Sequence, residues 1–462
     1  MQLLHELSRL STRFDEANLV SCSGLVPVMA LAESCGLSEL VASTVTVPGP
    51  AGANASVKVP ALVAGMVAGA DCIDDMDLLR HGGMGRLFGG VRAPSTLGTF
   101  LRAFTFGHVR QLDAVATTVL ARLAERSPLL GGASTLAFID IDDTVKQTYG
   151  YAKQGAGYGY SGVKGLNALL ATVSTPTNAP VIVASRLRKG SANSARGAAR
   201  LVADAVRTAR RAGTSGTLMV RADSAYYNHN VVAAARRAGA HFSLTARMTP
   251  AVTSAIATID EKSWVPIRYP NAVFDDEEQR WISDAEVAEV PFTAFTHRRK
   301  DEQVTARLIV RRVRRLNPAS APGADQGELF AAYRYHCCFT DTPMPMLQAE
   351  SQHRGHAIVE QVHADLKNGP LAALPSGSFA ANSAWLVLAV IAFNLTRAVG
   401  ALASQVHARA TSATVRAQLI CVPGRLASSA RRLVMHLPQG WPWEPAWQQM
   451  FTDAVNAPPA AA

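Results

Sequence analysis

The stretch FIDIDDTV, Phe138 to Val145, places three carboxylates, Asp140, Asp142 and Asp143, inside an apolar run. Strand alternation puts Phe138, Asp140 and Asp142 on one face, and Ile139 and Ile141 on the other. Asp142 then sits near the C-terminal end of the strand, where an α/β sheet opens to ligands. Carboxylates held close together raise one another's pKa values. A hard divalent cation such as Mg²⁺ relieves that repulsion through oxygen ligation. The competing role for this cluster is a turn or N-cap, and Asp143 and Thr144 are read that way. A second stretch, MVRADSAYYN, delivers Asp223 just past a strand, Leu218 to Arg221. Its competing role is to cap the helix that follows.

The third stretch is HRGHAIVEQVHADLK, read as one helix. His353, His356, Glu360, His363 and Lys367 fall at offsets of −7, −4, 0, +3 and +7 from Glu360, which gathers them on one face. A carboxylate flanked by cationic groups suits a metal-bound phosphate, and a solvated polar face is the competing reading. Glu360-x-x-His363 also matches half of a carboxylate-bridged di-iron site, which needs a second Glu-x-x-His on another helix and further bridging carboxylates. The G-x-G-x-x-G at Gly157, Gly159 and Gly162 is not followed by a helix or by an acidic ribose partner. It is read as a hairpin connection in which Lys164 and nearby tyrosines reach a phosphate.

The elements that must position these residues change character along the chain. Residues 1–130 read as helical, with APSTLGTFLRAF starting a helix at Pro94 and Ser95. A helix-turn-helix or a plain helical bundle both fit, so this region is a candidate for binding DNA ends. Residues 131–250 give three strands, then helix, strand, helix, strand: a mixed sheet with helices on its faces. Residues 251–345 return to strand character, with Trp264, Trp281 and the basic RLIVRRVRRL. Residues 346–405 form long helices, and 406–462 a C-terminal region whose NAPPAAA tail is expected to be disordered. The apolar run Ala384 to Phe393 is too short to span a bilayer and reads as a core helix.

Net charge is +10 at pH 7, from 45 Lys and Arg against 35 Asp and Glu. That balance favours a polyanionic partner, nucleic acid first. Candidate DNA contacts are Arg298, Arg299 and Lys300 in THRRK, and Arg307, Arg311, Arg312, Arg314 and Arg315 in RLIVRRVRRL. The rival role for that basic run is a solvated edge strand. Trp264 and Trp281 are core aromatics or platforms for an unpaired base. Cys22, Cys35, Cys72, Cys337, Cys338 and Cys421 show no zinc spacing, and Met1 to Asn18 carries charges throughout. A cytoplasmic, nucleoid-associated chain with no membrane partner is expected.

Taken together, the three stretches resemble the DDE transposases of bacterial insertion sequences, in the IS-four-like branch and its IS-thirteen-eighty group. The resemblance covers roughly residues 60 to 450. It implies a ribonuclease-H-like mixed-sheet catalytic core with an all-β insertion and a helical N-terminal region. The family's first Asp ends the first strand and matches Asp142; its second follows the fourth strand and matches Asp223; its Glu, on a late helix, matches Glu360. The branch carries Y-x2-R-x3-E-x6-K around that Glu. Here Glu360 and Lys367 keep their spacing, while His353 and His356 stand at the other two positions, with Arg354 out of helical phase. His353, Arg354, His356, His363 and Lys367 are thus candidate phosphate contacts, and Asp140 a supporting residue behind the metal ligands. The implied mechanism is phosphoryl transfer by two Mg²⁺ ions, or Mn²⁺ in their place, roughly 3.5–4 Å apart and held by Asp142, Asp223 and Glu360. The implied partners are the element's terminal inverted repeats and target DNA, bound by at least a homodimer.

Two rival readings stand beside this one. FIDIDDTV also fits the D-x-D-x-T of haloacid-dehalogenase phosphatases, with Asp140 as nucleophile and Asp142 as acid/base. That reading requires a later G-D-x-x-x-D, where the chain has RADSAYYN. The other rival is a basic DNA-binding protein with a decayed catalytic core.

Overall fold

A computed structural model describes residues 4, 6–149, 152–159, 162–269, 273–275, 280–282, 285–314 and 333–456. Arg315, Tyr160, the side chain of Trp281 and the last six residues of the NAPPAAA tail lie outside the described residues. The chain folds into two compact units, one made of residues 1–129, 148–155 and 365–462, the other of 130–147 and 156–364.

The second unit is a mixed α/β structure built on a ten-stranded sheet. Its centre is the strand Leu136–Gln147, which carries FIDIDD. On one side this strand pairs antiparallel with Lys164–Ser174, whose outer edge takes Val181–Lys189 and the two-residue strand Gly157–Tyr158. On the other side it runs parallel to Thr217–Ala222, which runs parallel to His241–Thr245. The sheet then continues antiparallel through Tyr333–Thr340, Val304–Arg314, Ala285–Ala294 and Val265–Ile267. The region 251–345 is not all strand, because Pro250–Ala257 is an α-helix, Glu261–Ser263 and Lys300–Glu302 are 3₁₀ turns, and the long strands extend the same sheet.

The core follows from the sequence pattern. Ala198–Arg211 buries Ala198, Leu201, Val202, Ala205, Val206 and Ala209 at helical spacing against the sheet, leaving its arginines outward. Ala137 through Ile141 are buried without a break, as in a central strand of a sheet flanked by other strands on both edges. That strand is twelve residues long and runs on to Gln147. Asp143 is therefore a mid-strand residue paired with Leu169, and not the turn residue expected from sequence. The turn residues lie further on because Thr144, Val145 and Lys146 still find ladder partners on Ala168, Asn167 and Leu166.

The helical unit is organised around Phe379–Ala403. This helix is long and apolar enough to cross a membrane, yet 89% of its apolar window is buried inside the protein. It packs on Ala55–Ala68, Phe106–Arg126 and Glu444–Val455, which makes it the core helix expected from its sequence. A capping box between Thr105 and His108 starts the Phe106–Arg126 helix. The Pro/Gly-rich C-terminal stretch holds a hairpin, Gly424–Ser429 with Arg432–His436, which adds Leu19–Val20 as a third strand.

Candidate active site

The parallel ladder between the strands Leu136–Gln147 and Thr217–Ala222 sets Asp140 opposite Arg221 and Ile141 opposite Ala222. The next residues are Asp142, still on its strand, and Asp223, one past the end of its strand, so the two carboxylates stand side by side where the ladder ends. Registered residues of a parallel pair point to the same face, and this is the face of Phe138 and Asp140. Asp142 Oδ1 accepts the Asp143 N–H at 2.7 Å. Asp223 accepts the Ala225 N–H at 2.9 Å and caps the turn Ser224–Tyr226. Its capping role and its place beside Asp142 thus coexist. Burial and then the negative charge of Asp142 push the Asp223 carboxyl above the usual range, against the Ala225 hydrogen bond and the charge of His356.

Glu360 comes from a different element. The expected single helix is broken, with Met346–Arg354, a 3₁₀ turn at Gly355–Ala357 and then Ile358–Lys367. The break changes the helical phase, so the five residues of the sequence stripe do not share one face. Glu360 is exposed in the first turn of the second helix, and Lys367 is exposed at its end. One turn after Glu360, His363 is buried and its Nε2 lies 3.4 Å from Asp142 Oδ2. This contact brings the Glu360 helix onto Asp142. Among the described residues, only Asp71, Cys72 and Asp75 place three potential ligand atoms within 4.8 Å of one another. That cluster is a turn in which Asp75 accepts the N–H groups of Asp71 and Cys72. The set Asp142, Asp223 and Glu360 is more widely spread.

Beneath this set, Asp140 is fully buried and gripped by Arg221 through two bonds, Nε to Oδ1 and Nη2 to Oδ2, both 2.7 Å. The guanidinium also stacks over the Phe138 ring at 4.0 Å and donates to the Gln352 carbonyl. A Cβ on Gly355 would lie 2.9 Å from Arg221 Nη1, so the break between the two helices accommodates this arginine. Burial pushes the Asp140 carboxyl up and the Arg221 charge pulls it back. With both oxygens committed and no exposure, Asp140 is closed to the nucleophile role of a phosphatase.

The remaining stripe residues face different surroundings. His353 is buried, with Ser243 Oγ and Thr245 Oγ1 each 3.0 Å from a ring nitrogen, and burial lowers its pKa to about 3. It is a neutral ring that seats the first helix on the sheet, with His356 stacked at 5.5 Å. His356 is half-buried, and its charge acts on both Asp140 and Asp223. Arg354 is tied to the buried Glu350 by two 2.9 Å contacts. On the opposite sheet face, Asp143 accepts from Tyr226 and Asn167 and pairs with Arg188 at 3.1 Å. Burial alone would push Asp143 up, but these partners hold it below the usual range.

Nearly the whole chain, residues 4–458, matches the family model of the transposase DDE domain group 1. It belongs to the DDE transposases. A search of curated proteins finds no match. Transposases act on DNA, and the basic residues of this transposase divide into paired and unpaired groups. Arg312 is buried between the rings of Trp264 and Tyr333, at 4.2 and 4.5 Å, and is paired with Glu261 and Glu286. Arg311 pairs with Glu350 at 3.0 Å and is hydrogen-bonded to Tyr269. Arg307 pairs with Glu289, and Arg298 with Glu302 at 3.4 Å. Arg299, Lys300 and Arg314 are exposed and have no ion-pair partner among the described residues. Trp264 is a buried aromatic, not an open stacking platform.

Sequence reasoning missed Arg221, Asn167, Arg188 and Tyr226. The one sequence signal for Arg221 was its place two residues before Asp223, mirroring Asp140 two residues before Asp142. Register, which pairs the two, cannot be read from either stretch alone.

Proposed function

We propose that this transposase cuts and joins DNA at the ends of an insertion sequence by metal-dependent phosphoryl transfer, with Asp142, Asp223 and Glu360 as the catalytic carboxylates. The observation that carries this reading is the adjacency of Asp142 and Asp223 at the end of the parallel ladder, where burial first and the charge of Asp142 second hold the Asp223 carboxyl above its usual range. Neither has a Lys or Arg partner among the described residues, so the like charges are left for a cation to neutralise. The donors are oxygens, which suits Mg²⁺ or Mn²⁺. Asp142, Asp223 and Glu360 would hold the metal, and a set this spread would suit more than one ion. Bound there, the ions supply a Lewis-acid clamp for an in-line phosphodiester displacement by water or a 3′-OH.

The chain's own residues supply position. Arg221 and Asp140 fix the floor of the site and, through the Gln352 carbonyl, the start of the turn that leads to Glu360. His356 lies where its charge favours the ionised form of Asp223. Arg299, Lys300 and Arg314 are the proposed grip on DNA phosphates, with Lys367 a further phosphate contact. Three antiparallel strands followed by two parallel ones, with Asp142 on the first and Asp223 just past the fourth, support a ribonuclease-H-like core. The strands between Asp223 and Glu360 support an insertion of the kind found in the IS-four-like branch and its IS-thirteen-eighty group. Terminal inverted repeats as substrate and a homodimer on DNA complete the proposal.

The test is cleavage of DNA carrying the element's ends, in Mg²⁺ or Mn²⁺, by the wild type and by Asp142→Ala, Asp223→Ala and Glu360→Ala. Binding of the same DNA is measured alongside. The expected result is that all four proteins bind and only the wild type cuts. Cutting by any of the three variants at a wild-type rate would remove that residue from the catalytic set.

A further inference from the structure

We propose that His363 is a fourth protein ligand of this centre, supplying a ring nitrogen to the same cation that Asp142 holds. The inference rests on the metal-dependent reading above and goes beyond its three carboxylates. His363 is 5% exposed, and neither of its ring nitrogens has a hydrogen-bond partner among the described residues. A buried polar group without a partner is costly, and in native structures such groups mark a functional site or a bound ion. The other buried ring on these helices, His353, satisfies both nitrogens with hydroxyls. His363 instead directs Nε2 to within 3.4 Å of Asp142 Oδ2. Adjacent ligands on an octahedral cation with bonds of about 2.1 Å stand roughly 3 Å apart, so these two atoms need only a small shift to share an ion. The i,i+3 spacing from Glu360 puts both side chains on one face of the helix Ile358–Lys367, so the helix offers the site an oxygen and a nitrogen donor together.

A nitrogen donor changes which metal the site prefers. Imidazole is a better ligand for transition metals than for Mg²⁺, which favours oxygen. The centre is therefore expected to bind Mn²⁺ more tightly than a purely carboxylate site would, and His363→Gln to raise the Mn²⁺ dissociation constant by on the order of tenfold while changing that for Mg²⁺ less.

The experiment is pulsed electron paramagnetic resonance on the full chain loaded with Mn²⁺, with calorimetric titration of both metals. Wild-type protein is prepared with natural and with ¹⁵N-labelled histidine, beside Asp142→Asn, His363→Gln and His356→Gln. The expected result is a directly bound histidine nitrogen that changes isotope with the label, disappears in His363→Gln and persists in His356→Gln. If Mn²⁺ binds in an Asp142-dependent way without any histidine coupling, His363 only pairs with Asp142 and the proposal fails while the metal-dependent reading survives. A coupling lost in His356→Gln instead overturns the assignment to His363. If Mn²⁺ binding does not depend on Asp142, both readings fall. The labelled wild type decides whether a histidine is bound even if a variant does not fold.

Discussion

Arg221 holds Asp140 from the neighbouring strand with two 2.7 Å bonds, one register step below Ala222 and two below Asp223. Both side chains are almost wholly buried, so breaking the pair from one side strands a charge in the core. Asp140→Asn and Arg221→Met are each expected to destabilise the protein by roughly 3–5 kcal/mol. The double variant Asp140→Leu/Arg221→Met is expected to recover most of that loss, because an apolar pair often replaces a buried ion pair without penalty. Cleavage is not expected to recover, because the Gln352 carbonyl loses its donor and the Glu360 helix its anchor. Urea denaturation and DNA cleavage on the four proteins check both halves; recovery of both together would show that the pair serves stability alone.

Asp223 sits next to Asp142 at a cost in the metal-free protein. Its carboxyl is raised, so the folded state holds its proton to higher pH than the unfolded chain does, and the destabilisation is fully present at neutral pH. Asp223→Asn keeps the cap on Ala225 and removes the charge. It is expected to stabilise the metal-free protein slightly at pH 7, by less than about 1 kcal/mol given the exposure of Asp223 and solvent screening, and so to raise its melting temperature. The gain is expected to vanish below the ordinary carboxylate range, where both states are protonated, and cleavage to be abolished. Calorimetric scans at pH 7 and at pH 2.5 without metal test this. A loss of stability at pH 7 would mean that the Asp142 repulsion is offset by other groups.

The carboxylates were legible in the sequence because each interrupts an apolar pattern: Asp142 within a run that alternates as a strand, Asp223 just past the apolar end of another. The strand–helix order was legible for the same reason. What the sequence hid depends on register and on phase. Arg221 reads as a surface charge until Asp140 is placed opposite it. His353 and His356 read as cations beside a phosphate while the helix is taken as unbroken; the turn at Gly355–Ala357 rotates His353 into the hydroxyls of Ser243 and Thr245. The arginines of RLIVRRVRRL read as one basic surface, whereas Arg312 is buried between Trp264 and Tyr333 and Arg314, on the same strand face but at the strand's last residue, is exposed.

That division of the arginines makes a direct prediction. Arg312→Ala removes a cation already neutralised by Glu261 and Glu286 and packed on two rings, so it is expected to lower stability by about 2–4 kcal/mol with little change in the salt dependence of DNA binding. Arg314→Ala and Lys300→Ala are expected to leave stability within about 0.5 kcal/mol of the wild type. Each is expected to weaken DNA binding and reduce the slope of log affinity against log salt by about one. Fluorescence anisotropy across a salt series, beside thermal melts, separates the two classes. A reduced slope for Arg312→Ala at unchanged stability would reverse the assignment.

His353 is expected to make the protein sensitive to mild acid. Its ordinary pKa is 6.5 and burial lowers it to about 3 in the folded state. The unfolded chain therefore takes up a proton that the folded chain refuses. Stability from this ring is complete above pH 6.5 and is lost as pH falls from there towards 3, at up to about 1.4 kcal/mol per pH unit. His353→Gln removes the titration while an amide can still bond to Ser243 or Thr245. It is expected to be less stable than the wild type at pH 7.5 and to lose less stability between pH 6.5 and pH 4.5. Denaturation curves for both proteins at half-unit intervals measure the difference directly; parallel pH profiles would mean that His353 takes up its proton in the folded state as readily as in the unfolded one.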